Sequence, residues 1–318
     1  MAAYDVLITG VSGMLGANLA LDWRGRRRVA GTCRSRPPHL PGVTLAALDL
    51  AGESDVAGLM ARLSPAVVVH CAADTDVDAC QGHPEDTRRV NALATAEIAL
   101  ACRDIGARLV YISTDAVFAG DRGGYAEDDE PGPVNAYAAS KLEGERLALA
   151  GCPDCLVLRT NIFGPGRRDN HGLAEWILSQ GRKNVPFLGF TDVFFAPVLT
   201  SVLGEIVEAA LAVGLTGIWH VAAPVPISKY AFARRLLAAF GLDPGLVRPG
   251  SLEDVRFAAP RPRNSALDGT RLAARLPGTI DLDLDAGIAR MVRLDAAGRS
   301  HALRQVAQMR PTVTEAFS

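Results

Sequence analysis

The stretch that decides the fold is residues 4–16, Tyr-Asp-Val-Leu-Ile-Thr-Gly-Val-Ser-Gly-Met-Leu-Gly. An apolar run ends in a G-x-x-G-x-x-G spacing, and a segment of helical period follows directly. Glycine allows a tight turn and a close approach of the backbone to a ligand, and a helix N-terminus attracts anions. We therefore predict that this turn holds the pyrophosphate of a dinucleotide, through Gly10, Ser12, Gly13, Met14, Leu15 and Gly16.

The same alternation of apolar runs and helical segments continues to about residue 160, and it is typical of a parallel α/β sheet. We predict a doubly wound parallel Rossmann sheet with crossover helices. The predicted strands are Val6–Ile8, Val67–Val69, Leu109–Ile112 and Leu156–Leu158, and the predicted helices are Met14–Trp23, Ser54–Leu63, Glu85–Ile105 and Ala136–Ala150. Ser54 is expected to be the N-cap of the helix that it begins, and Gly106 is expected to end the helix Glu85–Ile105.

The rhythm loosens after a break at residues 164–166, Gly-Pro-Gly. Helices at Ala174–Ser179 and Ser201–Ala212 and a strand at Ile218–Val221 are still readable. We predict that residues 1–160, with about 196–222 returning to the sheet, form the cofactor-binding domain. Residues 161–195 and 223–290 would form a smaller, discontinuous C-terminal α/β lobe for the substrate, and residues 291–318 a tail of unknown role.

Composition excludes several classes of protein. The 318 residues carry 33 Lys and Arg against 35 Asp and Glu, so the net charge of −2 gives no reason to expect nucleic acid or a membrane surface as a partner. No apolar run approaches the roughly 18 residues of a membrane span, so we expect a cytoplasmic protein. Six cysteines are too few for a disulfide framework, and Cys152-x-x-Cys155 lacks the second pair that a zinc site needs, so no metal is expected.

The second strand of the sheet is followed by arginines instead of an acid. NAD-binding domains usually carry Asp or Glu about 20 residues after the glycines, but none occurs between Trp23 and Leu48. Arg34 and Arg36 stand there, and guanidinium groups suit a 2′-phosphate. The sequence therefore favours NADPH over NADH. The alternative is that both side chains form a solvated rim.

A Tyr and a Lys are spaced for proton transfer. Tyr137 and Lys141 form Y-x-x-x-K, so on a helix they share one face, and a nearby cation favours ionisation of a phenol. The motif follows a predicted strand that ends in Ser113-Thr114-Asp115, which places hydroxyl groups at the sheet edge where α/β proteins bind ligands. We predict Thr114, Tyr137 and Lys141 as the catalytic residues.

Four motifs in this order resemble the extended short-chain dehydrogenase/reductases, and in particular their dTDP-4-dehydrorhamnose reductase branch. The motifs are the glycine loop, YISTDAVFAG (111–120), NAYAASK (135–141) and APRPRNSALD (259–268). The resemblance spans about residues 4–285. It implies a nucleotide-sugar substrate and a triad in which Thr114 polarises the substrate carbonyl, Tyr137 donates the proton, and Lys141 binds the nicotinamide ribose and lowers the pKa of Tyr137. Some members dimerise, so the resemblance allows a homodimer.

The resemblance also implies further contacts. For the cofactor these are Asp49 and Leu50 at the adenine, Cys71, Ala72 and Ala73 along its length, and Asn91 in the proton relay. Asn91 could equally cap a neighbouring loop. For the substrate we carry over Asp115 and Asn161, and Arg261 for the nucleotide-sugar pyrophosphate. Arg261 could instead tie the second lobe to the sheet.

Two aromatic residues of the dehydrorhamnose pattern are absent. Ala116 stands where relatives carry Tyr, and the segment 159–164, RTNIFG, lacks their Trp. The triad is intact, so these departures concern the identity of the sugar. Trp176 could supply a replacement stacking surface, although a Trp on a helix is often simply part of the core.

The leading hypothesis is NADPH-dependent reduction of a 4-keto group on a nucleotide-activated deoxysugar. An epimerase or 4,6-dehydratase of the same superfamily is one alternative, but dehydratases carry Glu for the elimination where this chain has Ala116. The other alternative is a non-catalytic NADP-binding regulatory subunit, since the beta subunit of methionine adenosyltransferase resembles the same branch.

Overall fold

The structure is a computed structural model that describes residues 2–34, 40–52, 54–167, 172–276 and 278–308. The strands are β1 (Tyr4–Thr9), β2 (Val29–Cys33), β3 (Val43–Ala47), β4 (Pro65–His70), β5 (Arg108–Thr114), β6 (Leu156–Thr160), β7 (Ile162–Phe163), β8 (Phe187–Phe190), β9 (Phe194–Phe195), β10 (Val198–Leu199), β11 (Gly217–Val221), β12 (Ile227–Ser228) and β13 (Val247–Gly250). The helices are α1 (Met14–Trp23), α2 (Val56–Leu63), α3 (Val77–Gly82), α4 (Pro84–Arg88), α5 (Ala94–Ile105), α6 (Ala136–Gly151), α7 (Leu173–Arg182), α8 (Thr200–Ala212), α9 (Lys229–Ala239), α10 (Thr270–Ala273), α11 (Leu284–Ala296) and α12 (Arg299–Gln308).

Seven of the described strands form one parallel sheet in the order β11-β6-β5-β4-β1-β2-β3. Its central strands are apolar on both faces because helices cover both. Leu7 and Val68 pack with α2, α5 and α6 on one face, whereas Ile8 and Val69 pack with α1 and α8 on the other. This confirms the predicted doubly wound parallel Rossmann sheet, and β11 shows that the chain returns to the sheet after leaving it.

The second half of the chain adds smaller elements beside the carboxyl edge of this sheet. Three two-stranded pairs, β10 with β7, β12 with β9 and β13 with β8, are joined by α7 and α9, which pack on each other. The predicted tail, residues 291–318, contains the end of α11 and all of α12 within its described part. None of the helices in the described ranges is both long enough and apolar enough to cross a membrane.

Two local expectations need correction. The N-cap of α2 is Asp55, whose Oδ1 accepts from Gly58 N at 2.7 Å, while Ser54 Oγ donates to Asp49 O at 2.5 Å instead. The single helix predicted over Glu85–Ile105 is interrupted by a π-helical turn at Arg89–Leu93, between α4 and α5. Such wide turns often occur at functional sites. Gly106 ends α5 as predicted, with φ of +71°.

Candidate active site

Two neighbouring cavities open at the carboxyl edge of the sheet, where α/β proteins bind ligands. The first, about 620 Å³, lies between the glycine loop, the end of β2 and the segments that follow β3 and β4. The second, about 600 Å³, lies between the N-terminus of α1, the end of β5, α6 and the start of α9. Gly13, Cys71 and Ala73 line both, so the two cavities form one continuous cleft.

The glycine loop is built for close approach to a ligand. Gly10 has φ of +66°, and a Cβ there would stand 2.7 Å from the Cα of Ala72. A Cβ on Gly16 would stand 2.5 Å from Gly10 O. α1 begins immediately after Gly13, so its N-terminal N–H groups face the cleft that these glycines leave open. These residues fit a pyrophosphate. Gly10 and Ser12 line the first cavity, Met14, Leu15 and Gly16 line the second, and Gly13 lines both.

Six of the remaining residues predicted for the cofactor line the first cavity. Asp49, Leu50 and Ala72 line it together with Cys71 and Ala73. Arg34 lines it as well and is exposed, directly after the end of β2. Arg36 lies outside the described residues, so the prediction made for it has no structural counterpart here.

Asn91 does not reach either cavity. It lies in the π-helical turn, where its Oδ1 accepts from Asp74 N at 2.7 Å and its Nδ2 donates to Asp74 O at 2.9 Å. The same Nδ2 donates to Ser140 Oγ at 3.0 Å, on the helix that carries Tyr137 and Lys141. Its side chain therefore fixes the loop after β4 against α6, which agrees with the loop-capping alternative.

Thr114, Tyr137 and Lys141 line the second cavity together. Thr114 is the last residue of β5, and α6 begins one residue before Tyr137, after an N-cap in which Asn135 Oδ1 accepts from Ala138 N at 2.9 Å. A hydrogen bond joins the Tyr137 and Thr114 side chains. A phenol and a hydroxyl group thus stand side by side at the cavity wall.

The pKa shifts of Tyr137 and Lys141 differ from those expected from the sequence. Burial raises the pKa of Tyr137, and the hydrogen bond with Thr114 only opposes that rise. Burial lowers the pKa of Lys141 to about 7, against the opposing charge of Glu145. Lys141 Nζ donates to Ile112 O at 2.8 Å and lies 4.0 Å from the centroid of the Tyr111 ring. The expected lowering of the Tyr137 pKa by Lys141 is therefore absent from this structure, because the ammonium is turned toward β5.

Asp115 and Asn161, both predicted for the substrate, are joined by hydrogen bonds. Asp115 is buried, which raises its pKa, and its carboxyl group accepts from Asn161 Nδ2 at 3.1 Å and from Ser265 Oγ at 2.6 Å. Asn161 lines the second cavity, whereas Asp115 lies behind it. Asp115 thus orients the amide of Asn161 and ties residue 265 to the end of β5.

Neither Trp176 nor Arg261 is among the residues that line the two cavities. The Trp176 ring packs edge-on against Phe187, with centroids 4.9 Å apart, and the residue is 37% exposed. Arg261 Nη2 donates to Asp78 Oδ2 at 2.9 Å, and its guanidinium lies 4.8 Å from the Phe257 ring centroid. Arg261 therefore connects the second half of the chain to α3, whereas its structural alternative was a tie to the sheet.

Two cations of the cleft were missed by sequence reasoning. Lys229, the first residue of α9, lines the second cavity; burial lowers its pKa, and the charge of Asp115 opposes that effect. Arg167 lines the first cavity. Both stand in the loosely patterned second half, where no motif marks them. The only local signals are Ser228, which caps α9, and the glycines at 164 and 166 before Arg167.

Comparison with known proteins identifies the family of this chain. Residues 4–293 match the family described as the RmlD substrate binding domain. A dTDP-4-dehydrorhamnose reductase from Mycolicibacterium smegmatis is 34% identical over 85% of this chain and 80% of its own length. Methionine adenosyltransferase 2 subunit beta from Danio rerio is 32% identical over 84% of this chain and 83% of its own length.

A solved structure extends the likeness to three dimensions. The crystal structure of a dTDP-4-dehydrorhamnose reductase from Bacillus anthracis in complex with NADP has a TM-score of 0.75 and is 26% identical, over 90% of this chain and 97% of that one. The family match covers the glycine loop, the triad and the segment around residue 265 alike. The chain belongs to the RmlD substrate-binding-domain family of reductases.

Proposed function

We propose that this protein is an NADPH-dependent reductase of a 4-keto group on a nucleotide-activated deoxysugar. The observation that carries the proposal is one continuous cleft, with the glycine loop at one end and Thr114, Tyr137 and Lys141 in the wall of the other. The reductase similar over most of the chain supports the substrate class, and the NADP complex of a structural relative supports the cofactor.

The first cavity is the proposed cofactor site. The glycine loop and the N-terminus of α1 would hold the pyrophosphate, and Arg34 would bind the 2′-phosphate that distinguishes NADPH from NADH. When bound, the cofactor supplies a hydride to the carbonyl carbon. Asp49, Leu50 and residues 71–73 would line the adenosine and the remaining length of the cofactor.

Tyr137 and Thr114 are proposed to serve the carbonyl oxygen. The Tyr137 phenol is protonated at neutral pH and can donate this proton, but the pKa raised by burial makes it a weaker acid than a phenol in water, so donation requires a neighbouring cation that stabilises the phenolate. The Thr114 hydroxyl can donate a second hydrogen bond to the developing oxyanion. Lys141, one helical turn after Tyr137, would bind the nicotinamide ribose, and it would offset the charge left on the phenolate once its ammonium turns from Ile112 O toward the cavity.

The sugar is proposed to lie against Asn161 and Lys229. Both line the second cavity, and Asp115 holds the amide of Asn161 in place. A half-buried ammonium there suits a polar or anionic substituent of the substrate. In this proposal residues 1–160 and 196–222 serve the cofactor, and residues 161–195 and 223–290 serve the substrate.

Two alternative functions are a 4,6-dehydratase and a non-catalytic subunit that binds NADPH. A 4,6-dehydratase needs an acidic residue after the Thr-Asp pair, and position 116 is Ala. A non-catalytic subunit would bind NADPH without turnover, and the similarity to the methionine adenosyltransferase subunit makes this the second candidate. The complete set of Thr114, Tyr137 and Lys141 in the cavity wall favours the enzyme.

The test is Tyr137→Phe, which removes the proton donor and keeps the ring. A thermal-shift screen with NADPH and a panel of dTDP-, UDP- and GDP-linked keto-sugars first identifies a substrate, whose turnover is then followed by NADPH absorbance. We expect turnover to fall by about 10²- to 10⁴-fold, with NADPH binding unchanged. Tyr4→Phe is the matched control, because Tyr4 Oη donates to Thr44 Oγ1 at the far end of the sheet.

Two outcomes contradict the proposal. Near-wild-type turnover by Tyr137→Phe means that the proton comes from another group. Tight NADPH binding by the wild-type protein without turnover of any keto-sugar in the panel supports the non-catalytic alternative.

A further inference from the structure

Arg167 crosses from the second half of the chain to the glycine loop. Its Nη1 donates to Ser12 O at 2.5 Å. Arg167 follows the glycine-rich segment after β7, outside the seven-stranded sheet. Its side chain nevertheless forms part of the wall of the first cavity. Nothing in the dinucleotide motif itself requires this contact.

The backbone before Arg167 is held independently of any ligand. Asn18 Nδ2, on α1, donates to Pro165 O at 2.8 Å, and Gly166 N donates to Glu175 Oε1, on α7, at 2.9 Å. Asn18 and Glu175 are both buried. The segment is therefore fixed between two helices, which directs Arg167 toward the glycine loop before a ligand arrives.

The helix α12 contacts the same two side chains, Asn18 and Glu175. Arg299, the first residue of α12, donates to Asn18 Oδ1 at 3.3 Å and to Asp22 Oδ1 at 2.5 Å. Arg304 lies 3.8 Å from the carboxylate of Glu175. Part of the tail whose role the sequence leaves open thus packs behind the segment that presents Arg167.

The position of Arg167 matches a particular part of the cofactor. Ser12, Cys33 and Arg34 line the same cavity, and Cys33 is the last residue of β2. In dinucleotide-binding folds, the ribose 2′ position is read by side chains that follow this strand. Burial raises the pKa of the Cys33 thiol, and the charge of Arg167 opposes the rise, so the guanidinium is within electrostatic reach of the end of β2.

We propose that Arg167 binds the 2′-phosphate of NADPH together with Arg34, as a cation supplied by the second half of the chain. The inference rests on the proposed use of NADPH. A phosphate carries close to two negative charges, and two guanidinium groups from opposite walls can each donate to separate oxygens. Selectivity for the phosphorylated cofactor then depends on both halves of the chain.

The test compares 2′,5′-ADP (adenosine 2′,5′-bisphosphate) with 5′-AMP, which differ only in the 2′-phosphate, by calorimetric titration of the full chain. For Arg167→Met we expect the affinity for 2′,5′-ADP to fall by about 10- to 100-fold, the usual loss of a charged hydrogen bond. The affinity for 5′-AMP should change less than about 3-fold. Arg167→Lys should keep part of the discrimination because it keeps the charge. Arg103→Met is the control, because Arg103, near the end of α5, pairs at the surface with its neighbour Asp104, at 2.9 Å, and lines neither cavity.

Each remaining outcome separates the proposals. Equal weakening of both ligands by Arg167→Met overturns the inference, because it shows a role in holding the glycine loop. Unchanged affinities overturn it as well. If Arg34→Met abolishes the preference for 2′,5′-ADP while Arg167→Met leaves that preference unchanged, NADPH selectivity stands and the role of Arg167 falls. Neither titration depends on keto-sugar turnover, so failure of the proposed reaction is recognised separately.

Discussion

Removing one charge from the buried ion pair behind the active site should destabilise the protein strongly. Glu145 and Arg159 side chains are 1% and 3% exposed. Glu145 Oε2 accepts from Arg159 Nη2 at 2.7 Å, its Oε1 accepts from Arg159 Nε at 3.0 Å, and Ser113 Oγ donates to the same Oε1 at 2.5 Å. Glu145→Gln leaves the guanidinium buried without its counter-charge, a change that costs about 3–5 kcal/mol.

The expected change in melting temperature follows from chain length. Unfolding entropy near the midpoint is about 2.1 cal/mol/K per residue, or about 0.7 kcal/mol/K for 318 residues. The substitution should therefore lower Tm by about 4–7 °C if unfolding is two-state. Differential scanning calorimetry at neutral pH measures this directly.

A matched control lies two residues away on the same helix. Glu143 pairs with Arg88 at the surface, with side chains 32% and 53% exposed, so Glu143→Gln should cost less than about 1 kcal/mol. The double variant Glu145→Gln with Arg159→Met should recover part of the loss, because no uncompensated charge stays buried. If Glu145→Gln lowers Tm no more than Glu143→Gln does, the reasoning about the buried charge is refuted.

Three further results are expected. Gly10→Ala should weaken NADPH binding at least about tenfold in a fluorescence titration, because its Cβ would meet the Ala72 backbone at 2.7 Å in a left-handed conformation; Gly25→Ala, with nothing within 4 Å, should bind normally. Burial lowers the pKa of His70 from 6.5 to about 3. The stability that the neutral imidazole contributes is therefore fully present above pH 6.5, and it is lost at up to about 1.4 kcal/mol per pH unit as the pH falls from 6.5 toward 3. In urea unfolding, the free energy of unfolding of a His70→Gln variant should depend less steeply on pH over this range. Lys229→Met should raise KM for the keto-sugar by about 10- to 100-fold with the NADPH affinity unchanged, and equal KM values would remove Lys229 from the substrate site.

The sheet could be predicted from the sequence because each of its strands and crossover helices is marked by a pattern of neighbouring residues. Each central strand is a short apolar run, and each crossover helix repeats apolar residues at helical spacing, so their order alone indicates a parallel α/β sheet. The interruption of the helix at Arg89–Leu93 could not be predicted, because a π-helical turn depends on tertiary contacts such as those of Asn91 with Asp74 and Ser140.

The site residues also differ in whether local sequence patterns could predict them. Thr114, Tyr137 and Lys141 follow predictable elements, so their convergence on one cavity was accessible from spacing. Lys229 and Arg167 reach the cleft through long-range packing of the second half, which no periodicity describes. The direction of the Lys141 ammonium, toward Ile112 O, is likewise a matter of side-chain packing that a Y-x-x-x-K spacing does not specify.

The late return of β11 to the sheet has a consequence for biosynthesis. β11 pairs with β6 along its whole length, from Gly217 beside Leu156 to Val221 beside Thr160. The first six strands therefore leave the ribosome well before residue 217 exists, and in that interval β6 presents an unpaired backbone edge. Exposed edges recruit strands from other chains, and contacts of such long sequence separation form slowly. A fragment that ends at residue 160 is thus expected to aggregate, and the chain depends on its own second half, or on a chaperone, to cover the sheet during translation.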